Sequence, residues 1–245
     1  MRVTPGQAYL AENSDIPSER HVVFVECSII GYAPNSRIDH HNPDDLGYAM
    51  GPALYWKASS IGQLHAMLRV PPKESDYVLA AMDHCFNASM KGLCPGISVK
   101  DVRERKIAEI AKTTRLETEA VNKMIFRWRN EIESCKGWYE MSGDHVYLVH
   151  NDDVVYNLTR ENLGFGYSAE YLTAQVAGVE SGFPIILKIR DTPNSQPRLH
   201  LCGDASPELV AYFMESEKDR GILEKIYGSP DRGYAGGFII EERVG

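Results

Sequence analysis

No Cys-x-x-Cys pair occurs in this chain: Cys27, Cys85, Cys94, Cys135 and Cys202 are scattered and odd in number. That excludes a disulfide framework and a thiolate zinc site, and a reducing, cytoplasmic location is expected. No apolar run approaches the roughly 20 residues of a membrane span, and residues 1–14 carry a Pro-Gly pair but no signal-like apolar core, so no membrane partner is expected. A basic excess is missing too. The net charge of -8 excludes holding long nucleic acid by counterion release, whereas a small anion stays admissible because a bound cation reverses the local sign. There is no internal repeat and no low-complexity tract. What remains is 245 residues, 43% hydrophobic and 24% charged, sufficient for one large core or two modest ones.

Val22-Val23-Phe24-Val25 predicts a strand buried on both faces, with Glu26 at its end. Arg37-Ile38-Asp39-His40-His41 predicts a second short strand running into a turn at Asn42-Pro43. Ala53-Leu54-Tyr55-Trp56 reads as another strand, and Ser59-Ser60 as the cap of a helix with Ile61, Leu64, Met67 and Leu68 on one face. An apolar helix or strand from Tyr77 to Met82 delivers Asp83 and His84. Capping boxes at Ser98-Val99-Lys100-Asp101 and Thr114-Arg115-Leu116-Glu117 open two connector helices. Strands are expected at 146–149, 154–158, 185–189 and 199–202, then a helix starting at Pro207, then a glycine-rich stretch from Gly228 leading into a terminal strand. The expected fold class is α/β, with a parallel-sheet lobe at 1–97, a helical connector at 98–136 and a smaller α/β lobe at 137–245.

Carboxylates and imidazoles at the ends of short apolar segments are the residue types that hold a divalent metal next to a phosphate. The ordered set is Glu26, then Asp39-His40-His41, then Ser59-Ser60, then Asp83-His84. In this order the chain resembles the DHH phosphoesterase superfamily, which includes RecJ-like nucleases, nano-RNA and cyclic dinucleotide phosphodiesterases, and manganese-dependent inorganic pyrophosphatases. The resemblance is sharp over residues 22–96 and loose over 185–240. It implies a DHH-like N-terminal lobe and metal-dependent hydrolysis of a phosphoester or phosphoanhydride in a small nucleotide-like substrate.

By position, the resemblance makes Glu26, His40 and Asp83 ligands of a divalent metal, normally Mn2+. His41 would face the phosphate, and Asp39 would orient His40 or join the ligand shell. Substrate contacts would fall to His84, to Arg232, and to Gly236 and Gly237 in the C-terminal glycine-rich loop. Two departures stand out. The family's first His/Asp/Asp motif has no counterpart in residues 1–20, where Glu12, Asp15 and Glu19 are the only acids, and without it the site holds one ion or none. Glu26 replaces an aspartate. The competing reading is therefore a degenerate relative that binds a nucleotide or other anion without cleaving it, with the oligomeric state, homodimer included, left open.

Simpler roles exist for several of these residues. His84 can cap a helix or bond a backbone carbonyl, and His65 is expected to be a partly buried structural histidine. Cys27 and Cys85 are small hydrophobes. The glycines at 228–237 serve as turn residues, and Trp128, with Met124, Ile125 and Ile132, is core or interface.

Overall fold

The β-branched and aromatic residues Val23–Val25 form β1, which pairs in parallel with β2, Ser36–Ile38, in the register Phe24 to Arg37. This computed structural model describes residues 21–134, 138–141, 144–149, 169–189 and 196–240. The strand expected at 154–158, the acids of residues 1–20, and Cys135 lie outside the described residues. The chain divides into two units, residues 1–105 and 106–245. It is a mixed α/β fold with a small parallel sheet in the first unit and a mainly antiparallel one in the second. Among the described residues no helix is long and apolar enough to cross a membrane.

In the first unit β1 is not buried on both faces. Phe24 is buried but Val25 is exposed, because in a two-stranded sheet only one face meets the core. The strand expected at 53–56 is absent as well. Pro52 opens a 3-10 turn, Pro52–Leu54, whose fixed φ continues into the short helix α1, Tyr55–Ala58. Ser59 then caps α2, Ser60–Leu68, its hydroxyl accepting from the Gly62 N–H at 3.1 Å. The stripe expected on α2 is only partly buried, at Ile61 and Leu64, while Met67 and Leu68 are exposed. His65 plays the structural part expected of it: its Nδ1 lies 2.9 Å from the Val70 carbonyl and its Nε2 3.4 Å from Asp76. Helix α3, Glu74–Met90, carries Asp83 and His84 and kinks at Cys85, whose φ of -150° and ψ of 62° are not helical. Tyr55, Ala80, Ala81, Cys85 and Cys94 make this unit's core.

Helix α4, Val99–Thr114, starts where Ser98 predicts, with the Asp101 N–H 3.4 Å from the Ser98 hydroxyl. Thr114 ends this helix instead of opening the next. Its hydroxyl donates to the Ile110 carbonyl at 2.7 Å, Arg115 adopts a left-handed φ of 58°, and Glu117 occupies the cap position of α5, Thr118–Glu133.

In the second unit, β3 (Trp138–Met141), β4 (Asp144–Val149), β5 (Pro184–Ile189), β6 (Arg198–Gly203), β7 (Leu223–Ser229) and β8 (Tyr234–Ile239) form one sheet in the order β3-β4-β5-β6-β8-β7. Only β4 and β5 run parallel. Besides α5 and the larger part of α4, the described residues of this unit include α6, Ala169–Ser181, and α7, Pro207–Arg220. Leu209, Val210 and Phe213 of α7 pack with Val146, Ile186, Leu201, Leu223 and Ala235. Trp128 of α5 is buried, and its indole N–H donates to the Glu170 carboxylate of α6 at 3.0 Å, beside Arg127.

His200 on β6 is buried among Tyr171, Tyr227 and Tyr234, with ring centroids 5.6, 6.4 and 6.2 Å away. Burial, reinforced by the Arg198 charge, pushes its pKa down to about 3. The folded pKa thus lies below the unfolded one, so the stability that neutral His200 preserves is complete above the unfolded pKa of about 6.5 and is lost as pH falls toward 3. Between pH 7 and pH 5 this single group is expected to remove about 2 kcal/mol. Urea unfolding of wild type and His200→Gln at the two pH values checks it: the variant should show a smaller drop, and equal drops would contradict a neutral buried imidazole.

Candidate metal centre

The loop after β2 is organised by one carboxylate. Asp39 is 1% exposed, and its Oδ1 accepts the backbone N–H of His40 at 2.8 Å, that of His41 at 3.1 Å, and Nδ1–H of His41 at 2.7 Å. Three donors converging on one oxygen favour the charged form. A carboxylate can only accept, so Nδ1 of His41 carries a proton, and in the neutral ring Nε2 is the atom left to act as a ligand. Asp39, expected to orient His40 or join the ligand shell, holds through its Oδ1 the backbone N–H of His40 and both the backbone and the ring of His41.

His40 is the buried floor of the site. Its ring stacks on His41 at 4.3 Å and meets the edge of His84 at 5.2 Å. Around its Nδ1 lie the Ser60 hydroxyl at 3.3 Å, Asp83 Oδ2 at 3.8 Å and Glu26 Oε1 at 4.0 Å. The His40 side chain is fully buried, whereas Glu26, Asp83 and His41 each remain about one third exposed (35%, 30% and 32%). The site is therefore closed beneath and open at its rim.

Different elements deliver these groups. Glu26 leaves β1 with a left-handed φ of 50°, its N–H held by the Ile38 carbonyl at 3.0 Å. Such backbone in a non-glycine residue costs about 1 kcal/mol or more and persists where surrounding structure imposes it. Asp83 stands on α3 just before the kink at Cys85. Asn42-Pro43-Asp44-Asp45 closes a turn, with the Asp45 N–H on the Asn42 carbonyl at 2.9 Å and Asp45 Oδ2 accepting from the Asn42 N–H at 2.7 Å.

Two positioning residues have no motif to reveal them. Gln63 donates through Nε2 to the carbonyls of Asp39 at 3.0 Å and Ala58 at 2.8 Å, tying the histidine loop to the start of α2. Gly47 lies flush against both: a Cβ there would stand 1.9 Å from the Ala58 carbonyl oxygen and 2.7 Å from Cβ of His40. The only signal for Gly47 in the sequence is its place after the Asn-Pro turn.

His84, expected to contact substrate, is buried, its Nε2 donates to the Met50 carbonyl at 2.7 Å, and its ring supports that of His40. Arg232, Gly236 and Gly237 belong to the second unit. Arg232 lies over the Tyr234 ring at 5.6 Å. Gly236 and Gly237 are in the body of β8, not in a loop, and a Cβ on Gly236 would meet the Tyr227 hydroxyl at 2.6 Å. That glycine is there because the cross-strand tyrosine lies over it.

One ligand atom each from Glu26, His40 and His41 lies within 4.8 Å of the others, the one such group of donors among the described residues. Ligands on opposite sides of an ion with bonds of about 2.1 Å stand roughly 4.2 Å apart, so a small contraction closes this shell. Two imidazoles with carboxylates suit a first-row transition ion better than calcium or magnesium. The donor set fits a metal without fixing which one.

Gly47→Ala should destabilise the first unit by about 1–3 kcal/mol, the usual range for forcing atoms into a filled site. Chemical denaturation followed through Trp56 fluorescence measures it, and an unchanged midpoint would mean that the loop shifts freely. No protein-family model matches the chain, and no curated protein matches it.

Proposed function

We propose that this protein hydrolyses a phosphoester or phosphoanhydride of a small nucleotide-like substrate at a divalent metal held by Glu26, His40, His41 and Asp83. The observation that carries the reading is the convergence of the Glu26, His40 and His41 donors within 4.8 Å, with Asp83 3.8 Å from His40. A metal bound there would neutralise charge on phosphorus oxygens and lower the pKa of a coordinated water.

The chain's own residues prepare that chemistry. Asp39 locks His41 in one tautomer, which is the usual outer-shell support for a ligating imidazole. Ser60, the first residue of α2, touches His40, so the positive end of this helix abuts the floor of the site and favours an anion above it. The one-third exposure of Glu26, Asp83 and His41 leaves the rim accessible to substrate. With a net charge of -8 the protein repels anions at long range, so recognition of a phosphate depends on the cation. His41 serves here as a ligand, not only as the group turned toward phosphate.

A second reading draws support from the size of the donor set. Four donors suffice for one ion, and an ion held this way can also bind a nucleotide or other anion that is not cleaved. Product formation separates the two.

Calorimetric titration with Mn2+ should show binding by wild type, binding weakened about 10–100-fold by Asp39→Asn, and a larger loss in His40→Ala. No Mn2+ binding by wild type would remove the metal from the proposal. A screen of small phosphodiesters and nucleotides with Mn2+ should then yield product with wild type and none with His40→Ala. Nucleotide affinity with no product over hours would select the binding reading.

A further inference from the structure

The first unit also holds a pair of facing cysteines, one of them two residues after Asp83. Cys85 and Cys94 point their sulfurs at each other across 3.3 Å inside the core, where they are 5% and 2% exposed. A disulfide bond is about 2.05 Å long, so a movement of little more than 1 Å separates thiols from disulfide. Burial alone explains cysteines as small hydrophobes but does not require two from separate segments to meet sulfur to sulfur. Their positions add a second observation. Cys85 is the residue at which α3 breaks, immediately after Asp83 and His84. Cys94 lies in the turn after α3, held by Leu93 N–H on the Ala88 carbonyl and Ile97 N–H on the Cys94 carbonyl.

We propose that Cys85 and Cys94 are a reversible redox pair whose disulfide ties the α3 kink to the turn behind it and thereby weakens metal binding at Asp83. The metal half of this statement rests on the proposed function; the disulfide half does not. The oxidant is hydrogen peroxide. Leu93, Pro95 and Gly96 flanking Cys94 are exposed, so local opening of this turn admits such a molecule more readily than opening of α3. The Cys94 sulfur attacks the peroxide, the O–O bond breaks, and a sulfenic acid and one water form. The Cys85 sulfur then displaces the sulfenic oxygen, the S–S bond forms, and a second water leaves with the remaining thiol proton. Two thiols have lost two electrons and two protons, and hydrogen peroxide has become two waters. A dithiol reverses the step by exchange. Because Cys85 sets the direction in which α3 leaves Asp83 and His84, drawing its sulfur toward Cys94 shifts the carboxylate relative to His40.

The whole chain is treated with hydrogen peroxide, digested without reduction and mapped by mass. The expected product is a Cys85–Cys94 cross-linked peptide, lighter by two hydrogens than the two thiol peptides and released by dithiothreitol. It should persist in Cys27→Ser and Cys202→Ser and vanish in Cys94→Ala. Failure to cross-link, or cross-linking to another cysteine, overturns the pair, and since wild type alone decides this, a poorly folding variant does not matter. Mn2+ affinity of the oxidised form should be about tenfold weaker than that of the reduced form, the scale of an outer-shell disturbance. Equal affinities overturn the coupling. Absence of Mn2+ binding in both forms overturns the coupling and the proposed function together, while the mass map still judges the disulfide.

Discussion

The site depends first on one buried carboxylate and the N–H groups that converge on it. Asp39 would destabilise the fold if left alone at 1% exposure, since an uncompensated carboxylate in the interior carries a penalty of several kcal/mol. Two backbone amides and one imidazole N–H offset it, and in doing so they dictate the course of the chain through His40 and His41. The stacking of the two rings, the approach of Gly47 and the Gln63 bond to the Asp39 carbonyl all follow from that local geometry. Electrostatics and backbone conformation are here one constraint.

Elements whose signal is local were legible in the sequence. Ile185 to Ile189 and Leu199 to Cys202 form strands because β-branched and apolar runs fill a sheet covered by α7, and Pro207 starts that helix because its missing N–H is not needed there. Ser59 caps α2 for the reason its hydroxyl predicts. Residues 53–56 misled because Leu, Tyr and Trp suit a strand as well as a helix, and Pro52 decided between them. Thr114 has the composition of a cap but lies inside α4, where its hydroxyl turns back on Ile110.

For the site, the order of acids and imidazoles along the chain was readable, and the structure brings Glu26, His40, His41 and Asp83 together. Their finer relations were not readable. Which of two adjacent histidines receives Asp39 depends on φ and ψ at those residues, not on residue type. Glu26 reaches the cluster from a left-handed backbone that no composition announces. Gln63 and Gly47 act across long sequence separations, one by two carbonyl bonds and the other by having no side chain. His84 and Gly236 carry the opposite lesson: a polar or glycine residue in a suggestive place was taken up by packing, under a carbonyl in one case and under a tyrosine ring in the other.

The uneven enclosure of the cluster has a kinetic corollary. A cation seated on an interior imidazole but flanked by carboxylates that touch bulk water would keep coordination positions filled by solvent, and it would exchange with its surroundings without the fold opening. Among ions with similar ligand preference, occupancy would then follow supply more than cavity shape. Such a centre would behave as a loading dock, and a soluble chelator would reach its cargo directly.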